Sequence, residues 1–336
     1  MLKLGIFRSE DYRPTASGWV GRLGWMLTGH RISLRLLRTA IPASAQEIAV
    51  FEAIMQDLLL NSGIYRTTFH ERFRELDRLV NELLAERFPS DAALDIQDWA
   101  ASDCLTSSEW AASLLPLFPN ARLRASDLTL FLVEVAWDKH VVVQERDGQP
   151  LQYLSSFFLV NVTRPDQRPR MLSSLLIKRA LSVIAKMKKR LVVPAEWLDA
   201  DLEADSEALS LPPFTLRKLP MIHPEAALFR AQNDRFSIAC HSAFEALSRP
   251  ADAIRSMNIY NLLYFAPAQL AEGTRAVWAS LKPGGWWIVG RTVRENPPTH
   301  NVSIFEKTAT GFRLVRRYGD GSEIETLVLE TVPLPS

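Results

Sequence analysis

Apolar residues recur at spacings of three and four in Ile48, Phe51, Ile54, Met55 and Leu58, and again in Phe69, Phe73, Leu76, Leu79, Val80, Leu83 and Leu84. Each set draws one apolar stripe along a helix. Between them, Asn61-Ser62-Gly63 is a helix stop. Upstream, Trp19, Val20, Leu23, Trp25, Met26 and Leu27 are interleaved with Arg22, Arg31, Arg35 and Arg38, a basic amphipathic pattern. Such a segment either touches a membrane surface or packs its apolar face on the main domain or a second subunit. Three glycines interrupt it and favour packing. Residues 1–90 are therefore expected to form a helical N-terminal domain, with apolar faces suited to a homodimer.

After Pro89-Ser90-Asp91 strand and helix signals alternate, the pattern of a sheet covered by helices on both faces. Residues 93–99 and 121–126 read as strands, with a helix through 109–117 between them. Asp147-Gly148, a tight-turn pair between β-prone runs, predicts a hairpin over 141–153 that a plain doubly wound sheet would not contain. Residues 171–190 read as a basic helix whose cations gather at the end where the helix dipole is negative. An acidic, proline-containing loop is expected over 197–213. Strands at 236–240 and 253–259, a helix over 267–281 and a strand at 286–291 follow, and then three short strands at 302–307, 311–318 and 323–329. The fold class expected is α/β: a Rossmann-like sheet over 91–336, with an insertion at about 141–224 and the helical segment before it.

A hydrophobic fraction of 47% over 336 residues supports a sizeable core. Lys and Arg total 39 against 38 for Asp and Glu, and no basic stripe carries interleaved aromatics, which argues against a nucleic-acid partner. Cys104 and Cys240 lack metal-type spacing, the six histidines are dispersed, and no metal site is expected. No Gly-x-Gly-x-x-Gly follows an early strand, which disfavours a dinucleotide dehydrogenase. With neither a signal-type start nor a run of about 20 apolar residues, a cytoplasmic protein without integral membrane association is expected.

Chemistry concentrates at a few places. The run Leu281-Lys282-Pro283-Gly284-Gly285 before the apolar Trp286-Trp287-Ile288-Val289-Gly290, with Asn261-Leu262-Leu263-Tyr264-Phe265-Ala266-Pro267 ahead of it, resembles the central and late motifs of class I S-adenosylmethionine-dependent methyltransferases. Asp98 through Glu109 stands where that superfamily has its glycine-rich first loop. The segment is most similar to the Ser-Thr-Gly-Glu-Glu-like variant of chemotaxis-receptor methyltransferases, although it holds no glycine and Cys104 occupies the place of one.

The resemblance implies S-adenosylmethionine as cofactor, S-adenosylhomocysteine as product, and a small-molecule or protein methyl acceptor. It implies that Ala101, Ser102, Asp103, Cys104 and Thr106 line the methionine part and that Asp127, with Leu128 beside it, meets the ribose. His241 and Ser242 would lie beside the adenine, and Asn258 and Tyr264 near the transferable methyl; His241, Asn258 and Tyr264 are the catalytic candidates. Independently of the family, a nucleoside needs a carboxylate for its ribose hydroxyls and a backbone it can approach closely. Asp127 either serves that purpose or caps a following helix, and His241 is either a base or a packing residue. The missing glycines leave a second reading open, a catalytically silent protein of the same fold acting as a binding or regulatory module.

Overall fold

The computed structural model describes residues 4–5, 33–38, 41–58, 60, 66, 68–155, 159–162, 171–199 and 208–331. The basic segment expected over 19–38 lies outside them except for 33–38, and so does the Asn61-Ser62-Gly63 stop. In chain order the elements are β1 Leu4–Gly5, a 3-10 turn Leu34–Leu37, α1 Ala45–Asp57, α2 Arg74–Arg87, β2 Asp95–Trp99, α3 Leu105–Leu114, β3 Arg122–Asp127, β4 Phe131–Trp137, β5 His140–Gln144, β6 Pro150–Leu154 and β7 Leu159–Asn161. There follow α4 Met171–Lys188, α5 Ala195–Asp199, β8 Leu209–Leu211, β9 Phe214–Pro220, α6 Pro224–Gln232, β10 Phe236–Cys240, β11 Ala251–Met257, α7 Pro267–Ser280, β12 Leu281–Glu295, β13 Pro298–Thr308, β14 Gly311–Tyr318 and α8 Glu325–Glu330. None of the helices among the described residues is long and apolar enough to cross a membrane.

The chain divides into two compact units that interleave along the sequence: Met1–Arg66 with Phe131–Met221, and Thr67–Leu130 with Ile222–Ser336. In the first, an antiparallel sheet runs β1-β7-β6-β5-β4-β9-β8. The hairpin expected from Asp147-Gly148 is there as β5 and β6, with Gly148 at φ 82°, but it is the middle of a whole sheet. Alternation along β4 sends Leu132 to one face, against Leu34, Leu37, Phe51, Ile54 and Met55. Val133 and Val135 go to the other, against Ile177, Ala180 and Ile184 of α4. Helix α1 starts where Ser44 and Glu47 form a reciprocal cap. Arg35 and Arg38 from the basic segment are paired with the buried carboxylate of Glu134, Arg35 at 3.0 Å, so these two cations are spent on a buried charge. The stretch expected as a loop over 197–213 contains the end of α5 and strand β8, which pairs with β9 just beyond it.

The second unit carries the doubly wound sheet, in the order β10-β3-β2-β11-β12-β13-β14. Its first five strands are mutually parallel, and β13 and β14 complete it by antiparallel pairing. Order reverses between β2 and β11, so the crevice beyond their carboxyl ends is the topological switch point at which such sheets take ligands. Helix α2 belongs here and not with α1: Leu76, Val80 and Leu84 are buried, and its Asn81 accepts the Trp110 indole N–H at 2.9 Å. On one face of the sheet, Trp99, Ile254, Trp287 and Val289 pack with Leu270 and Val277 of α7. The Leu281-to-Gly285 run is an irregular start of β12, where Ala251 pairs with Leu281 and Ala253 already with Trp286; Gly284, at φ 75°, makes that shift without steric cost.

One predicted strand is corrected. Residues 325–330 are the helix α8, because Ile324 and Val328, four apart, drop into the core while Ser322 and the Glu325 carboxylate tie its start to Ser303 and Arg317. A run alternating Glu, Leu and Val satisfies either period, and packing chose the helical one.

Candidate functional site

Beyond β2 the chain turns through Ala100 to Cys104 before entering α3. Ala100, Ser102 and Cys104 have φ of 56°, 58° and 64°. Alternate residues thus take the left-handed conformation that glycine enters freely and that an L side chain enters at about 1–2 kcal/mol. The loop takes a backbone path that suits glycine, although it holds no glycine. Across the switch point, Asn258, the first residue after β11, is left-handed as well, at φ 64°. Four such residues lie on the two segments that flank the crevice and concentrate backbone strain there.

The loop is held by its neighbours. Ala101 N–H donates to Ser126 O at 2.9 Å, and Ser102 N–H donates to the Asp127 carboxylate at 2.9 Å. The other Asp127 oxygen accepts Thr129 N–H at 3.0 Å. No helix follows β3, since the chain passes to β4, so the capping role is ruled out for Asp127. Asp103 accepts Leu105 N–H at 3.1 Å and starts α3, while its carbonyl accepts His223 N–H at 2.8 Å. Cys104 and Thr106 are buried.

Behind the loop lies a charge cluster that the sequence did not reveal. Arg255 on β11 is fully buried and bonded to Asp98 of β2, with Nε at 2.9 Å, and to Asp77 of α2. Its guanidinium lies 4.2 Å from the Trp110 ring centre. Asp98 also accepts Ser107 Oγ at 2.6 Å, which locks the first turn of α3. Burial outweighs the pull of Arg255 on Asp77 and pushes that carboxyl up to about 7.

On the opposite face of β2, Trp99 lies 4.9 Å from His241, centre to centre, at the end of β10. Trp99 Nε1, His241 Nε2 and Ser126 Oγ are buried and find no hydrogen-bond partner among the described residues. Trp99 and Ser126 are register neighbours, so these orphaned atoms gather at adjoining strand ends. Burial lowers the His241 pKa against the opposing pull of Glu245, leaving a neutral ring at neutral pH.

The structure thus brings Ala101 to Thr106, Asp127 and His241 to one edge of the sheet. Ser242 stands next to His241, with its hydroxyl turned to Phe244 N–H at 3.2 Å. The side-chain oxygen of Asn258 accepts Thr292 N–H at 2.7 Å and ties β11 to β12. Tyr264 is exposed in a turn held by Asn261, beside exposed Leu262 and Leu263, and Leu128 is exposed too. Trp99 and Ser126, which stand beside these residues, were not singled out from the sequence, although both sit inside the segments that carry the resemblance; Arg255, at distance 157 from Asp98 in sequence, left no signal.

No family model matches the chain, and no curated protein matches it either. Among solved structures it is similar to S-adenosylmethionine-dependent methyltransferase SibL at 13% identity, over 66% of this chain and 37% of that one, with a TM-score of 0.26. It is similar to CalS10, an amino pentose methyltransferase from Micromonospora echinaspora, at 11% identity, over 73% of this chain and 68% of that one, TM-score 0.30. The sugar N-methyltransferase KedS8 from a Streptoalloteichus species gives 13% identity, 75% of each chain and a TM-score of 0.30. The chain thus spans well under half the length of SibL.

Proposed function

We propose that the crevice between β2 and β11 binds the adenosyl moiety of S-adenosylmethionine, and that the protein is a methyltransferase acting on a small-molecule or protein acceptor. The carrying observation is the backbone of Ala100, Ser102 and Cys104, which keeps a glycine-type path although each residue has a Cβ. Strain of that kind persists where the surroundings over-determine it, and here they do so at the ligand edge of a doubly wound sheet.

In this reading Asp127 meets the ribose hydroxyls, the loop from Ala101 to Thr106 lines the methionine portion, and His241 and Ser242 border the adenine. Leu128 covers the open side of the nucleoside. When bound, the cofactor supplies a methyl group already activated on its sulfonium, so the protein's share is to hold the acceptor in line with it and to exclude water. Asn258 and Tyr264 stand on the segment that would face the acceptor. His241, kept neutral by burial, can take a proton from an acceptor that must lose one.

Calorimetric titration with S-adenosylhomocysteine tests the proposal. Binding is expected for the native chain, weakened about tenfold or more in Asp127→Asn, which keeps an acceptor for Ser102 N–H but loses the charge. Absence of heat and of any thermal shift at millimolar ligand would remove it. The Cβ atoms of residues 100, 102 and 104 favour the second reading, a silent binding module. Binding that appears only in Cys104→Gly would establish that one instead.

A further inference from the structure

Three arginines gather around one buried carboxylate within the first unit. The turn Leu34–Leu37 is a 3-10 helix, which repeats every third residue, so Leu34 and Leu37 share one side of it and Arg35 and Arg38 share another. The leucines are buried with Phe51 and Ile54, and Leu34 N–H donates to the Gln152 side chain of β6 at 2.9 Å, which pins the turn across the sheet face. Both guanidiniums then meet Glu134 of β4, one on each carboxylate oxygen, with Arg35 Nε at 3.0 Å. The Glu134 side chain is 1% exposed, whereas those of Arg35 and Arg38 are 23% and 34% exposed. The third cation, half-buried Arg217, is the register partner of Glu134 on β9 and so stands on the same face. With both carboxylate oxygens taken, Arg217 makes no hydrogen bond or ion pair among the described residues. Its charge still reaches Arg38: burial holds that guanidinium below its ordinary range, Glu134 pulls it up, and Arg217 and Arg35 push it down.

We propose that Arg35, Arg38 and Arg217 bind the phosphoryl group of a phosphate monoester, with Glu134 as the positioning residue that fixes the first two. Glu134 holds two cations in place but neutralises the charge of only one. Among the described residues it is the one carboxylate that acts on Arg38, so three guanidiniums against it leave two positive charges on a partly open face. Like charges held this close repel, and an anion relieves the repulsion. A phosphate monoester carries about −1.5 to −2 at neutral pH and offsets the whole surplus, whereas a single carboxylate offsets half of it. Guanidiniums also present N–H donors in a planar fork that matches phosphate oxygens. Arg35 gives Nε and Arg38 one Nη to Glu134; their other side-chain N–H groups, and the whole Arg217 fork, have no partner among the described residues.

The test titrates the full chain calorimetrically with glycerol phosphate at constant ionic strength, and sediments it with phosphatidylcholine vesicles carrying phosphatidic acid. One phosphate per chain is expected. Arg217→Gln and Arg38→Gln should each weaken binding about tenfold or more, the loss of one charge-assisted contact. Arg217 has no partner to lose, so Arg217→Gln should melt no lower than the native chain, which separates lost binding from lost fold. Heat with glycerol phosphate assigns a soluble phosphorylated ligand. Vesicle retention that Arg217→Gln abolishes, without such heat, assigns the same phosphoryl chemistry to a lipid headgroup. Absence of both at millimolar phosphate, or equal binding by the native chain and Arg217→Gln, overturns the proposal. No adenosyl ligand is present in either arm, so the result is independent of the adenosyl titration.

Discussion

Asp77→Asn tests the buried cluster beneath the loop. In the folded chain the Asp77 carboxyl is pushed up to about 7, chiefly by burial, with Arg255 pulling the other way and Asp98 adding to the rise. In the unfolded chain it releases its proton near pH 4. Below about pH 4 both states hold the proton, and the group adds no pH dependence. Between about 4 and 7 the unfolded chain has lost it and the folded chain has not. The folded state then binds more protons, so stability falls as pH rises, by at most about 1.4 kcal/mol per pH unit. Above about 7 both states are ionised there and the slope ends. From about pH 5 to about pH 8 the accumulated loss is about 2–3 kcal/mol. Asparagine keeps an oxygen for Arg255 and removes the titration. Urea unfolding of both proteins at the two pH values, followed by tryptophan fluorescence, reads the effect, since Trp110 lies against Arg255. The variant should gain about 2–3 kcal/mol on the native protein between the lower and the higher pH. Parallel pH dependences, or a variant that loses ground at the higher pH, would refute the reasoning.

Arg255→Met leaves Asp98 and Asp77 buried without their cation, and should cost about 3–5 kcal/mol in the same unfolding experiment. The isosteric triple change Arg255→Met, Asp77→Asn and Asp98→Asn should recover most of it. Gly290→Ala drives a Cβ into the Asn301 carbonyl of the paired strand, where no side chain can yield; the melting temperature should drop with about 1–3 kcal/mol of overpacking or more.

Much of the second unit could be read from period and punctuation. Strands β2, β3, β10 and β11 are short apolar runs between turn residues, and α7 opens on Pro267 and ends where Lys282-Pro283 begins. The antiparallel sheet was legible only at its Asp147-Gly148 turn. The neighbours of that hairpin, β4 and β9, carry no punctuation of their own, and Phe131 to Trp137 passes without a signal. For the candidate site, Asp127 and His241 could be placed at the ligand edge of the sheet because they stand at the ends of recognisable strands. The left-handed loop could not, because Ala100, Ser102 and Cys104 carry side chains that normally argue against positive φ. Contacts made only by folding were equally out of reach. Asp77, Asp98 and Arg255 look dispersed in the sequence, and only the pairing of β2 with β11 beneath α2 brings them together.

The most direct measurement is electron density for S-adenosylhomocysteine diffused into crystals of the native chain. The account predicts a nucleoside between the ends of β2 and β11, its ribose within hydrogen-bond reach of the Asp127 carboxylate and its base beside His241 and Trp99. Density for the ligand elsewhere, or a crevice closed by the protein's own side chains, would contradict it.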